Sequence, residues 1–179
     1  MEIALYQPDI AANTGTMARL CACLGLKLTI IEPAGFAWDD SKLRRAGMDY
    51  LDRASIHRSP SWEQFQADVG AKRVVLLTTK STVSYLDFVF RPDDILLLGR
   101  ESAGVPDVVH QCITQRISIP MQPGTRSLNV ALACAMVAGE ALRQTRPAAP
   151  LIYFDTRKAI SESPMSSNAL ASSAALLTL

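Results

Sequence analysis

Three separated segments carry the residue types that bind small molecules and move groups between them. The first is Asn13-Thr14-Gly15-Thr16-Met17-Ala18-Arg19, which places an arginine inside an otherwise apolar stretch. Such an arginine either snorkels to the surface or is aimed into a site that holds an anion. The second, Gly99-Arg100-Glu101-Ser102-Ala103-Gly104, follows an apolar run and has the context of a nucleotide loop. It lacks the second glycine of the dinucleotide fingerprint, and Val105-Pro106 stand where a P-loop needs Lys and Ser or Thr. What remains is a tight backbone loop against a flat, weakly charged ligand, or an ordinary strand exit. The third runs from Pro120 to Asn129, stiffened by Pro120, Pro123 and Gly124. Ser127 is expected to cap the helix behind it, where unpaired backbone N–H groups can meet an acceptor. Taken singly, it is equally a plain strand-to-helix turn.

Other chemistries are poorly served. Cys21, Cys23, Cys112 and Cys134 sit in apolar stretches without metal-ligand spacing and are expected to be reduced packing thiols. Cys21 and Cys23, two apart on a helix, point roughly 200° away from each other. With only His57 and His110 available, zinc chemistry and a Ser-His-Asp hydrolase are both disfavoured, and no metal is expected.

Residues of this kind must be positioned by a scaffold, and 179 residues with 49% apolar and 20% charged side chains suffice for one globular domain. The net charge of +1 excludes a polybasic mode of binding. Locally, residues 116–146 carry four arginines against Glu140, a net +3, whereas residues 87–107 carry a net −3. No apolar run approaches the ~18 residues of a membrane span, and no secretory leader is visible, so a soluble cytoplasmic protein is expected.

Short apolar runs at Ile3–Tyr6, Lys27–Ile31, Arg73–Thr78, Asp94–Leu98 and Ile117–Ile119 read as strands. Between them fall helical patterns: one capped by Asn13 or Thr14 and stopped by Gly25, a short one around Lys42 to Ala46, and one opened by the S-x-x-Q box at Ser61. A long Ala-rich helix is expected from Ser127 to Gln144. The alternation predicts an α/β fold, a mostly parallel sheet with helices on both faces, whose ligand site lies beyond the carboxyl ends of the strands. Residues 1–150 are read as a single domain and 151–179, rich in Ser and Ala, as a C-terminal extension.

In order along the chain, Asn13-x5-Arg19, then Leu98-Gly99-x-Glu101-x-x-Gly104-Val105-Pro106, then Ile119-Pro120-Met121 with Ser127-Leu128-Asn129 resemble the three motifs of the SpoU branch of the SPOUT RNA methyltransferases. Gly35 to Asp40 and Leu43 to Gly47 resemble, more narrowly, the small enzymes of that branch that methylate the tRNA wobble nucleotide.

The resemblance implies a C-terminal deep trefoil knot and a homodimer that binds S-adenosylmethionine and releases S-adenosylhomocysteine. It implies methyl transfer to the ribose 2′-hydroxyl of the wobble cytidine or uridine in the anticodon loop. By the same likeness the cofactor falls on Leu77, Thr78, Gly99, Gly104, Ile119, Met121, Ser127 and Leu128. Arg19 takes a catalytic part, Ser127 and Asn129 orient the hydroxyl, and Glu101 braces the loop or Arg19. Lys42, Arg44, Arg45 and Arg126 are candidate contacts to RNA phosphate. The rival readings are another tRNA position or rRNA as target, a non-catalytic RNA-binding relative, and a dinucleotide oxidoreductase, the last opposed by the failed glycine fingerprint.

Overall fold

The structure is a computed structural model and describes residues 1–37 and 55–146. The short helix expected around Lys42 to Ala46, and the extension 151–179, lie outside the described residues.

Six strands form one sheet: β1 Glu2–Tyr6, β2 Lys27–Ile31, β3 Ser55–Ser59, β4 Val74–Leu77, β5 Ile95–Leu98 and β6 Gln115–Ile117. Every pairing is parallel, in the order β3-β2-β1-β5-β4-β6. Four described helices intervene: α1 Ala11–Leu24, α2 Trp62–Val69, α3 Asp107–Cys112 and α4 Val130–Thr145.

The strand period of two sorts side chains to opposite faces of the sheet. Ile3, Leu5, Leu28, Ile30, Leu96 and Leu98 enter one core with Met17 and Cys21 of α1 and Cys134, Val137 and Ala138 of α4. Ala4, Tyr6, Leu76, Ile95 and Leu97 enter a second core with Phe65 of α2 and Val109 of α3. Both faces are therefore covered, which is why β5 reads as an unbroken apolar run.

Three boundaries differ from the sequence expectation. Helix α1 begins at Ala11, not behind an Asn13 or Thr14 cap, because the Asn13 side chain is engaged elsewhere and the Thr14 hydroxyl donates back to Ile10 O. Helix α4 is capped by Asn129, not Ser127: Asn129 Oδ1 accepts from Ala131 N (2.9 Å) and Leu132 N (3.3 Å). Strand β6 ends at Ile117, because the extended backbone of Ser118 leaves β4 and bonds Val83 O (2.8 Å) in the β4–β5 crossover instead. Gly25 does terminate α1, at φ 63°, and Ser61 does cap α2 by accepting from Gln64 N. The thiols divide: Cys21 and Cys134 are buried, but Cys23 and Cys112 are exposed. Burial pushes the Cys21 thiol up to about 12, so it is a packing group and not a nucleophile.

The crossover from β4 to β5 contains no helix, and its second half is tied down twice. Gln144 of α4 accepts from Phe90 N (2.9 Å) and donates to Phe88 O (3.0 Å). At the amino ends of β4 and β5, Arg73 grips the buried Asp94 through two 2.7 Å bonds and donates to Val89 O (2.8 Å). Removing one partner of such a pair leaves the other charge stranded. Arg73→Ala is expected to lower unfolding free energy by about 3–5 kcal/mol, read from urea denaturation.

Candidate functional site

Strands β1 and β5 are neighbours, yet the chain leaves β1 toward β2 and leaves β5 toward β6. Adjacent parallel strands with opposite exits open a crevice beyond their carboxyl ends. Next to this switch point, beyond the carboxyl ends of β4 and β5, lies a cavity of about 460 Å³, within the size range of small-molecule sites. Its walls come from the ends of β4 (Leu77, Thr78, Lys80), the loop after β5 (Gly99 to Val105), the segment after β6 (Ile119, Met121) and the start of α4 (Ser127 to Val130).

All eight residues expected to hold the cofactor, Leu77, Thr78, Gly99, Gly104, Ile119, Met121, Ser127 and Leu128, line this one cavity. Glu101 and Asn129 line it too. Arg19 does not; it lies on the exposed side of α1. Arg126 is exposed in the loop before α4. Lys42, Arg44 and Arg45 lie outside the described residues.

The loop after β5 closes on itself: Arg100 N donates to Gly104 O (3.0 Å) and Gly104 N to Arg100 O (2.9 Å). Gly104 needs its φ of 68° for this turn. A Cβ on Gly99 would lie 2.5 Å from the carbonyl carbon of Gly104, so no larger residue fits without opening the loop.

Polar side chains then lock three loops together. Asn13 Nδ2 donates to Glu101 Oε1 (3.0 Å), and Asn129 Nδ2 donates to Asn13 Oδ1 (3.0 Å). On the other side of Glu101, Asp9 N donates to its Oε2 (3.1 Å) and Glu101 N donates to Asp9 Oδ1 (3.1 Å). Ser102 Oγ also donates to Asp9. The hydrogen bond between the two side chains, helped by Ser102, holds the Asp9 carboxyl down to about 2. Burial, and then Asp9 itself, raise Glu101, against the bond from Asn13. The two carboxyls are thereby pushed in opposite directions, Asp9 down and Glu101 up.

Sequence reasoning overlooked Ile10, Lys80, Arg100 and His110, which also line the cavity, and Asp9, which braces it. Asp9 follows Pro8 at the end of β1. The rule that sites gather at strand ends would have flagged it had the neighbours of β1 been known. Among the described residues, no group of three or more His, Cys, Asp or Glu is placed to hold a metal ion. No described helix is long and apolar enough to cross a membrane.

The profile of the SpoU rRNA Methylase family matches residues 1–139. A tRNA (cytidine(34)-2'-O)-methyltransferase of Beijerinckia indica is 60% identical over 145 residues, 79% of this chain and 90% of that one. A solved structure concerned with the 2-OH methylation of C/U34 on tRNA is 38% identical, with a TM-score of 0.76 over 80% of this chain and 94% of that one. An AdoMet-bound rRNA methyltransferase from Sinorhizobium meliloti is 25% identical, with a TM-score of 0.72 over 79% of this chain and 55% of that one.

Two substitutions test the site's construction. Asn129→Ala should cost about 1 kcal/mol as a lost cap, and Ser127→Ala close to nothing, in thermal unfolding. Gly99→Ala should cost roughly 1–3 kcal/mol through overpacking against Gly104 in the same measurement.

Proposed function

The chain belongs to the SpoU methylase family, and on that premise we propose that it transfers a methyl group from S-adenosylmethionine to the ribose 2′-hydroxyl of nucleotide 34, the wobble cytidine or uridine of tRNA. The observation that carries this is the convergence of residues from three motif-bearing segments, Asn13, Gly99 to Gly104 and Ile119 to Asn129, on one cavity beyond the carboxyl ends of β4 and β5.

The residues present fit the cofactor. Leu77, Ile119 and Leu128 offer apolar surface for a flat, neutral adenine, and the closed turn at Gly99 and Gly104 brings backbone close to it. Thr78, Met121 and Ser127 complete the set that would hold it. No cluster of phosphate-binding lysines lines the cavity among the described residues, and a sulfonium nucleoside requires none. When bound, S-adenosylmethionine supplies an electrophilic methyl on a positively charged sulfur.

The protein's task is then alignment and exclusion of water around an in-line displacement. Ser127 hydrogen-bonds to none of the described residues through its side chain, which suits it to orient the attacking hydroxyl at the cavity wall. Asn129 is engaged by the helix N–H groups and by Asn13, so its orienting part is exerted by fixing the loop that carries Ser127. Glu101 braces the loop after β5 through Asn13. Arg19 stands on the exposed side of α1, outside the cavity wall, and is assigned as the electrostatic partner that holds the adjoining phosphate and stabilises negative charge developing on the attacking oxygen once RNA is docked.

Arg126 and, beyond the described residues, Lys42, Arg44 and Arg45 are assigned to RNA phosphate, and the target nucleotide is splayed from its loop into the cavity. A homodimer is the proposed active unit. Leu132 is 61% exposed and Met136 42%, one turn apart on α4, and with Leu128 at 41% they extend an apolar ridge to the cavity mouth that a second copy would cover. The family's trefoil knot is expected in the same C-terminal third. Residues 1–150 are taken as the catalytic domain, 151–179 as an extension outside it, and the cytoplasm as the place where the protein meets tRNA.

Incubation with labelled S-adenosylmethionine and unmodified tRNA, followed by nuclease mapping, is expected to place the label on the 2′-oxygen of nucleotide 34. Label at another tRNA position or only in rRNA would overturn the substrate assignment. Arg19→Ala should abolish transfer while leaving calorimetric cofactor affinity and Tm unchanged; undiminished turnover would remove Arg19 from the mechanism. Leu132→Glu should yield monomers by light scattering and lose activity with them.

A further inference from the structure

Asp9 does not line the cavity, yet it stands where three segments meet. Its carboxylate accepts from Glu101 N (3.1 Å) and from the Ser102 hydroxyl, and its own N–H donates to Glu101 Oε2 (3.1 Å). Behind it lies Gly35, whose N–H donates to Pro8 O (2.8 Å). A Cβ on Gly35 would fall 2.8 Å from Asp9 Cβ and 2.9 Å from Asp9 Cα. Real Cβ atoms do not approach so closely, so the backbone at 35 is pressed against Asp9 and only glycine permits it. Immediately after Asp9 the chain enters α1, which carries Asn13.

We propose that Asp9 is a positioning residue for the methyl transfer: wedged against Gly35, its carboxylate holds the Glu101–Ser102 turn where Glu101 can set Asn13 and, through it, Asn129. The inference rests on the function proposed above. Asp9 touches neither the cavity nor the reacting atoms and acts entirely through Glu101. Charge supports the arrangement. Asp9 faces Glu101 from the β1–α1 loop, while Arg100 and Lys80 line the same cavity; Asn13, the partner from α1, is uncharged. Asp9 is one of the two influences that raise Glu101, burial being the larger. Removing the Asp9 carboxylate therefore lowers the pH at which Glu101 ionises; loss of burial acts in the same direction, so a variant that displaces the turn but keeps the carboxylate is the control.

The full-length chain and its Asp9→Asn and Gly35→Ala variants are compared for methyl transfer to unmodified tRNA from acid to alkaline pH. Calorimetry with S-adenosylhomocysteine and thermal unfolding run alongside. A displaced turn should cost on the order of 10- to 100-fold in kcat in both variants. The affinity for S-adenosylhomocysteine should weaken by a smaller factor. The acid limb of the rate profile should move to lower pH in Asp9→Asn, and further than in Gly35→Ala, which keeps the carboxylate. Wild-type kcat and affinity in Asp9→Asn overturn the proposal, and so does a fall in kcat with an unmoved acid limb. If Asp9→Asn does not fold, Ser102→Ala, which removes one donor to the same carboxylate, decides together with Gly35→Ala: wild-type turnover in both overturns it. A wild-type chain that binds S-adenosylhomocysteine but methylates no tRNA sinks the function proposed above; the variants' affinities then still decide whether Asp9 holds the turn.

Discussion

The site depends on one run of hydrogen bonds that passes from the β1–α1 loop to Glu101, on to Asn13, and on to the Asn129 cap of α4. These groups belong to three stretches of chain far apart in sequence: residues 9 and 13 both reach Glu101, and Asn13 also reaches Asn129. Polar side chains held between loops gain little net energy from any one such bond. Their worth is geometric, since a missing member leaves its neighbours without a partner in a partly enclosed place. The cavity is thus shaped less by its apolar walls than by the polar lacing that keeps those walls in register.

That lacing explains why the helix starts do not sit where simple capping would put them. Asn13 is spent on Glu101 and Asn129, so it cannot close the first turn of α1, and the helix begins two residues earlier. Asn129 serves two purposes at once, satisfying the exposed N–H groups of α4 with its oxygen and reaching Asn13 with its nitrogen. Ser127, spared the cap, is left at the cavity wall. A hydroxyl and an amide two positions apart have exchanged the roles that propensity alone would assign them.

Much of the scaffold was legible because it is written in short-range patterns. The apolar runs of β1, β2, β4 and β5 exceed what a loop tolerates, Gly25 stops α1, and Ser61 with Gln64 opens α2. Strand β3 escaped notice because Ser55-Ile56-His57-Arg58-Ser59 is an edge strand whose side chains face mostly outward, so no apolar signal marks it. Helix α3 is too short to show a period. Strand order was beyond reach for a deeper reason: nothing local in Ile3 to Tyr6 says that β5 will lie beside it. The motif loops were legible from family likeness, and their convergence on one cavity agrees with it. Asp9 stayed hidden because its importance comes from a partner 92 positions away.

Helix α4 is fastened at both extremities: Asn129 to Asn13 at one end, and Gln144 to the β4–β5 crossover and Arg146 to Leu24 O at the other. It also supplies one cavity wall, through Val130 and Ala133. Since a chain emerges from the ribosome amino end first, every other wall of the pocket is made before this one. A nascent chain that has not yet released Arg146 possesses the sheet but neither the final wall nor its fasteners. Competence to hold a ligand therefore arrives only once α4 has left the ribosome.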